Sequence, residues 1–229
     1  MTNDAAFLGV LMLDTRFPRP VGDVGNLQTF ERAGIPVRLH TVKGASAQGA
    51  VLDADPDLFR PFLEAAQALV AQGAELITTS CGFLAAHQVG LQAALPVPVL
   101  TSSLLWCSHL KRPGIVTFNQ ATLSPAILAA AGVPEHTPVS GLKPGCSLQQ
   151  TILNDELELD ERQAQADVVA AALALVERHP EVEHLVLECT NMPPYREAVA
   201  RATQRPVHDI ETMLVTAWPQ RHTGTPWRS

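Results

Sequence analysis

Unbroken apolar runs and amphipathic runs alternate along this chain. Phe7-Leu8-Gly9-Val10-Leu11-Met12-Leu13 has no polar position, the pattern of a strand covered on both faces of a parallel sheet. Pro18, Pro20, Gly22 and Gly25 then predict a loop, and a short helix over Asn26 to Ala33 follows. Pro36 to Val42 alternates and predicts a second strand. Asp57 to Gln72 has helical periodicity, with Asp55 or Asp57 as cap and Pro56 in the first turn. Leu76 to Thr79 predicts the third strand, Leu84 to Ala94 a helix, and Pro98 to Leu100 a short fourth strand.

The pattern then restarts. Pro113 to Phe118 resembles the first strand, with Gly114 in the place of Gly9. Helices are predicted over Ser124–Ala131 and Glu161–Arg178, and a strand over Val182–Leu187. Pro193 and Pro194 suit a helix start, where an amide hydrogen has no partner to lose. Pro206 to Ile210 echoes Pro98 to Ser102, and a last helix is expected from Glu211 to Trp218. Two copies of a strand-and-helix unit imply an α/β fold: two similar small parallel-sheet domains, related by a pseudo-two-fold, with a cleft between them. The expected division is 1–101 for the first domain, with the terminal helix 210–229 packing back onto it, and 102–209 for the second.

Composition narrows the function. The 229 residues carry a formal charge of −7 with no Lys/Arg cluster and 5% aromatic residues, against a nucleic-acid surface. No apolar run is long enough for a membrane span. The opening Met1-Thr2-Asn3-Asp4 lacks the basic flank of a signal peptide, so a cytoplasmic protein is expected. No glycine-rich phosphate loop, zinc-spaced Cys/His set or Gly-x-Ser-x-Gly elbow occurs, so neither a cofactor nor a metal is expected.

Four cysteines in this length are not a disulfide scaffold, and Cys107 and Cys146 read as core filler. Cys81 and Cys189 differ. Each ends an apolar run, Leu76 to Ser80 or His184 to Glu188, and each precedes a turn and a helix start. Matching alanine-rich helical runs begin at Ala65 and Ala171, and the second copy's connection is two residues longer. Ligands in open parallel sheets bind at the carboxyl ends of strands, where both cysteines fall. Helix amino termini there are expected to lower the thiol pKa and to hold a carboxylate. Glu188 adjoins Cys189, and strand alternation points it away from its neighbour, toward a base or solvent. His87 and His208 could lie near the cleft, and Arg16, Arg19 and Lys43 could bind a second substrate carboxylate; surface or satisfied core positions are the commoner reading for all five.

The repeated strand–Cys–turn–helix unit, with Glu188-Cys189-Thr190-Asn191-Met192 as its second copy, resembles the aspartate/glutamate racemase superfamily. That group includes hydantoin racemases, maleate isomerases and arylmalonate decarboxylases. The resemblance implies that Cys81 and Cys189 are opposed acid/base thiols of a cofactor-independent racemase or epimerase acting beside a carboxylate or carbonyl. It implies backbone N–H groups near Gly82, Phe83, Thr190 and Asn191 as the grip on a small carboxylate, with Thr15, Thr79, Ser80 and Thr117 adding hydroxyls. Asp14 stands where glutamate racemases carry an assisting acid. The sequence departs from the pattern at Gly82-Phe83, where many relatives have Asn-Thr, and at Asn191, where glutamate racemases have His and many aspartate racemases Glu.

The expected function is racemisation of an amino acid of the aspartate/glutamate type. Alternatives are a hydantoin racemase, a one-cysteine enzyme of the maleate isomerase or arylmalonate decarboxylase kind, and a small-carboxylate binding protein. The expected partner is a small carboxylate substrate, with no nucleic acid and no membrane, and the resemblance is compatible with a homodimer.

Overall fold

The computed structural model describes residues 6–53 and 55–222. The first residues of the expected first domain, and the end of its returning segment, lie outside the described residues.

The first half contains β1 (Phe7–Leu13), β2 (Val37–Val42), α1 (Ala47–Val51), α2 (Phe59–Ala71), β3 (Ala74–Thr79), α3 (Gln88–Ala94) and β4 (Val99–Leu100). The second contains β5 (Pro113–Thr117), α4 (Pro125–Ala130), β6 (Val139–Gly141), α5 (Ser147–Leu153), α6 (Glu161–Arg178), β7 (His184–Leu187), α7 (Arg196–Thr203) and β8 (Val207–His208), followed by α8 (Ile210–Ala217). The strands form two four-stranded sheets of order β2-β1-β3-β4 and β6-β5-β7-β8. Every pairing is parallel. The fold is therefore α/β with a duplicated sheet, as the repeated pattern implies.

The duplication extends to packing. A Cβ at Gly9 would sit 3.0 Å from Leu69 Cδ1 on α2, and one at Gly114 would sit 3.0 Å from Leu175 Cδ2 on α6. Each glycine thus lets the matching helix lie close on the matching strand. The buried side of α2 is Phe62, Ala65, Ala66 and Leu69, and that of α6 is Ala164, Val168, Ala171, Ala172 and Leu175. The small alanines allow close helix–sheet approach, and the larger residues bury apolar area worth roughly 25 cal/mol per Å².

Several predicted boundaries shift for local reasons. Asn26 caps a 3₁₀ helix over Leu27–Ala33 by accepting from Gln28 N–H. The predicted helix at Asp57 opens as a 3₁₀ turn capped by Asp55, and the α-helix begins at Phe59. The predicted helix at Leu84 is 3₁₀ over Gly82–His87 before α3. Among the described residues, α1, β6, α5 and a 3₁₀ helix over Ser103–His109 have no counterpart in the sequence pattern. Each is short, with too few turns or alternations for a periodic signal. After β8, α8 packs on the 3₁₀ helix Leu27–Ala33, and Arg221 beyond it binds Glu75 on β3 at 2.7 Å.

Both sheets reverse direction of growth between their two central strands. Loops after β1, β3, β5 and β7 therefore converge, since a crevice opens at such switch points. Among the described residues no helix is long and apolar enough to cross a membrane.

Candidate active site

The converging strand ends line a tight cavity of about 20 Å³. Leu13 enters from β1, Ser80 to Phe83 from β3, Phe118 from β5, and Glu188, Cys189 and Asn191 from β7. The unpredicted helices α1 and α5 pack together and supply Ala47, Val51 and Ile152. The rim is tied by the loop after β1, where the N–H groups of Arg16 and Phe17 donate to Asp155 Oδ1 at 2.5 and 3.0 Å.

Both cysteines reach this cavity, and both are buried free thiols. The halves are joined behind them by Thr190, whose hydroxyl donates to the Ser80 carbonyl at 2.7 Å. Ser80 Oγ in turn accepts from Leu13 N–H at 2.9 Å. The Cys81 charge is among the causes that raise Cys189, as expected of two groups facing one small cavity.

The expected lowering of the thiol pKa values is overturned. Burial pushes the Cys81 thiol up to about 12, and the Glu188 charge adds to this, against the Phe83 and Leu84 N–H groups and Arg19. Burial also raises Cys189 well above its ordinary value, with Glu188 next, against the Asn191 N–H. Amides at short helix starts are outweighed where the sulfur is desolvated beside an acid.

That acid is the residue sequence reasoning misjudged. Glu188 is fully buried and meets neither a base nor solvent. The backbone is still paired there, Glu188 N–H donating to the Val116 carbonyl at 2.9 Å, but the side away from Cys189 is covered by Gly82 of the first half instead of by a base or solvent. Its Oε2 accepts from the Thr117 hydroxyl at 2.9 Å and the Phe118 N–H at 3.2 Å. Its Oε1 is buried without a hydrogen-bond partner. A Cβ on Gly82 would overlap Oε1, so glycine after Cys81 makes room for the acid. Burial raises the Glu188 carboxyl to about 7, against the Phe118 and Thr117 hydrogen bonds. The sequence signal available was the pairing of Gly82 after one cysteine with an acid before the other.

A second buried chain of contacts holds Cys189. Its Sγ donates to Asn191 Oδ1 at 3.4 Å, Asn191 Nδ2 donates to Asp23 Oδ2 at 2.5 Å, and Arg19 binds Asp23 Oδ1 at 3.0 Å. Arg19 also donates to Thr15 Oγ1 at 3.0 Å. Tyr195 belongs to the same region: its buried hydroxyl has no hydrogen-bond partner, and its pKa is raised by burial first and by Glu161, Asp23 and Cys189 after it.

Of the residues singled out from sequence, Cys81, Cys189, Ser80, Gly82, Phe83 and Asn191 line the cavity together. Thr117 and Thr190 stand behind it, holding Glu188 and Ser80. Thr79 donates to the Thr101 carbonyl at 2.7 Å, and Thr15 faces Arg19. Asp14 is not brought to the thiols; it is exposed and accepts from Gly44 N–H and Lys43. His87 packs on the Phe59 ring, and His208 meets His184 at 3.1 Å. Among the described residues no group of three or more His, Cys, Asp or Glu is placed to hold a metal ion.

No family model matches the chain. A dimethylsulfoniopropionate lyase of Durusdinium sp. clade D is 27% identical over 222 residues, covering 89% of this chain and 71% of the relative. Dimethylsulfoniopropionate lyase 7 of Emiliania huxleyi (strain CCMP1516) is 28% identical over 223 residues, 90% of this chain, which spans 64% of the relative's length. Among solved structures, allantoin racemase from Pseudomonas fluorescens superposes with a TM-score of 0.60 at 18% identity, over 93% of this chain and 90% of the other. Glutamate racemase from Thermus thermophilus gives 0.59 at 18% identity, over 94% and 79%. An arylmalonate decarboxylase gives 0.56 at 17% identity, over 89% and 86%. The chain thus has the fold of the aspartate/glutamate/hydantoin racemase superfamily. The named proteins are enzymes, and enzyme function is the coarse expectation they support.

Proposed function

We propose that this protein is a cofactor-independent lyase that removes a proton beside a carboxylate and expels a sulfonium leaving group, with dimethylsulfoniopropionate as substrate. The observation that carries the reading is the cavity lining. Phe17, Phe83 and Phe118 surround two thiols and Glu188, and among the described residues no Lys, Arg or His lines the space. Aspartate and glutamate bring a second carboxylate, which would need a cation there. Arg16, Arg19 and Lys43 are paired with Asp155, Asp23 and Asp14. A sulfonium acid brings one carboxylate and a cation with no N–H, which suits aromatic faces and a buried acid. Similarity to curated lyases of that substrate over about nine-tenths of this chain supports the same reading.

In this mechanism the Phe83 and Leu84 N–H groups favour Cys81 as the thiolate. Cys189 has one such amide and is further opposed by Cys81 and Asp23. The Cys81 thiolate takes the proton from the carbon next to the carboxylate. The carbon–sulfur bond breaks with its electron pair on sulfur, leaving dimethyl sulfide and acrylate.

A second reading, two-base racemisation, is favoured by the pair of thiols in one cavity. The two differ in what they ask of Cys189. The test is dimethyl sulfide release from dimethylsulfoniopropionate, with α-proton exchange of single-enantiomer amino acids and hydantoins in D₂O alongside. Elimination predicts that Cys81→Ser lowers turnover by about 10²–10⁴-fold while Cys189→Ser is milder. Racemisation predicts amino-acid or hydantoin exchange lost in both variants, and that result together with no dimethyl sulfide would reject the lyase reading.

A further inference from the structure

Glu188 has the features of a proton-handling group rather than a structural one. It is fully buried, and one carboxylate oxygen has two donors while the other has none. Because Oε2 accepts from Thr117 and Phe118, a proton on this carboxyl must sit on Oε1. Oε1 occupies the space of a missing Gly82 side chain, one residue from Cys81, and Glu188 lines the same cavity as both thiols. A structural acid at this depth would be paired or hydrogen-bonded through both oxygens.

We propose that Glu188 is the proton acceptor that generates the working thiolate, taking the Cys81 thiol proton onto Oε1 directly or through one water. The exchange converts thiol and carboxylate to thiolate and carboxylic acid, so the charge of the desolvated cavity is unchanged. A thiolate beside an ionised Glu188 would instead place two negative charges there, which is why the Glu188 charge raises both thiols.

The protons balance. The S–H bond of Cys81 breaks and an O–H bond forms on Glu188. The thiolate then takes the substrate proton, becoming a thiol again. Elimination yields one proton overall, and it leaves from Oε1 to solvent, restoring the carboxylate. The role rests on the acid/base thiols of the proposed function but not on the substrate, because a racemase needs the same store.

The groups around Glu188 make its titration separable. Cys81, on the turn after β3, and Cys189, beside it in the chain, are the titratable groups facing the same cavity. Thr117 and Phe118 after β5, Ser103 at its backbone, and Gln149 and Ile152 on α5 carry no charge near neutrality. Arg19 and Asp23 lie behind Asn191 and act on the thiols. Burial places the Glu188 carboxyl near 7.

The experiment needs no substrate. Iodoacetamide alkylation of Cys81 and Cys189 is followed by peptide mass spectrometry against pH in the full chain and in Glu188→Gln. With Glu188 as acceptor, the thiolate–acid pair fills as the site loses its first proton. The Cys81 rate then rises with a midpoint near 7, levels off, and rises again near 12. In Glu188→Gln the plateau disappears and a single rise remains, shifted below that of the second wild-type step. If Glu188→Gln does not fold, Thr117→Val serves instead: one donor to Oε2 is lost and the plateau midpoint moves up. A wild-type profile with no plateau, or one that neither variant alters, overturns the proposal. Failure to release dimethyl sulfide would reject the substrate and leave this profile unaffected.

Discussion

Asn191 donates from Nδ2 to Asp23 Oδ2 at 2.5 Å, between residues 168 apart in the chain. Ionised aspartate only accepts, so this contact fixes which end of the amide faces it. The Oδ1 end is turned to Cys189, which donates to it as a neutral thiol. Asn191, which replaces an ionisable residue of the resembling families, thus holds one thiol protonated.

Asp23→Asn tests that relationship. The new amide no longer dictates the orientation of Asn191, and Arg19 loses its buried partner. Unfolding in urea is expected to show a loss of about 3–5 kcal/mol, the usual consequence of leaving one member of a buried pair. In the folded variant Cys189 should be alkylated at lower pH than in the wild type, because the Asp23 charge that raises it is gone. An unchanged Cys189 profile would sink the account.

The stability of the protein should fall as pH rises toward neutrality. Folding raises Glu188 from an ordinary 4.5 to about 7, so the native state holds this proton more tightly than the unfolded chain. The contribution is fully present below 4.5 and is lost as pH passes through about 7. Glu188→Gln should therefore be more stable than the wild type above that window, by roughly 3 kcal/mol, with the advantage vanishing in acid. Urea titrations of both proteins on either side of the window check it; a pH-independent difference would contradict it.

Gly82→Ala introduces a methyl group where Glu188 lies. Overpacking of this kind costs about 1–3 kcal/mol. Combining it with Glu188→Ala should recover part of the loss, because Oε1 is removed while the Glu188 carbonyl, also in the way, remains. A double-mutant cycle by chemical denaturation measures this coupling, and strict additivity would argue that the two residues do not meet.

Thr190→Val keeps the shape of the side chain but leaves the buried Ser80 carbonyl without the Thr190 hydroxyl. A stability loss of about 1–3 kcal/mol is expected. Since this bond ties the second half to the turn before Cys81, hydrogen exchange should quicken at Ser80 to Phe83. Unaltered exchange there would mean that the halves are held by other contacts.

The periodic parts of the chain were readable in advance because their signals are local. Phe7–Leu13 and Glu161–Arg178 form the strand and helix their patterns describe, and the duplicated Gly9 and Gly114 pack as equivalents. The shared position of the two cysteines at one cavity was legible for the same reason: each follows a buried strand, and strand ends mark where a cleft opens. The duplicated parallel sheet follows from that repeat.

Only the tertiary structure decided the electrostatics. Whether a helix-start amide or a desolvated neighbour sets a thiol's pKa depends on groups 70 to 170 positions away, such as Thr117 against Glu188 or Asp23 against Asn191. Asp14, placed by sequence beside the chemistry, is held outside by Gly44 and Lys43. Glu188, read as meeting a base or solvent, sits at the cavity because Gly82 of the first half covers that side of the chain. Strand and helix periods are properties of a segment, and the amino-acid order determines them. Burial and charge pairing are properties of the assembled space between segments, and they exist only once the two halves have closed on each other.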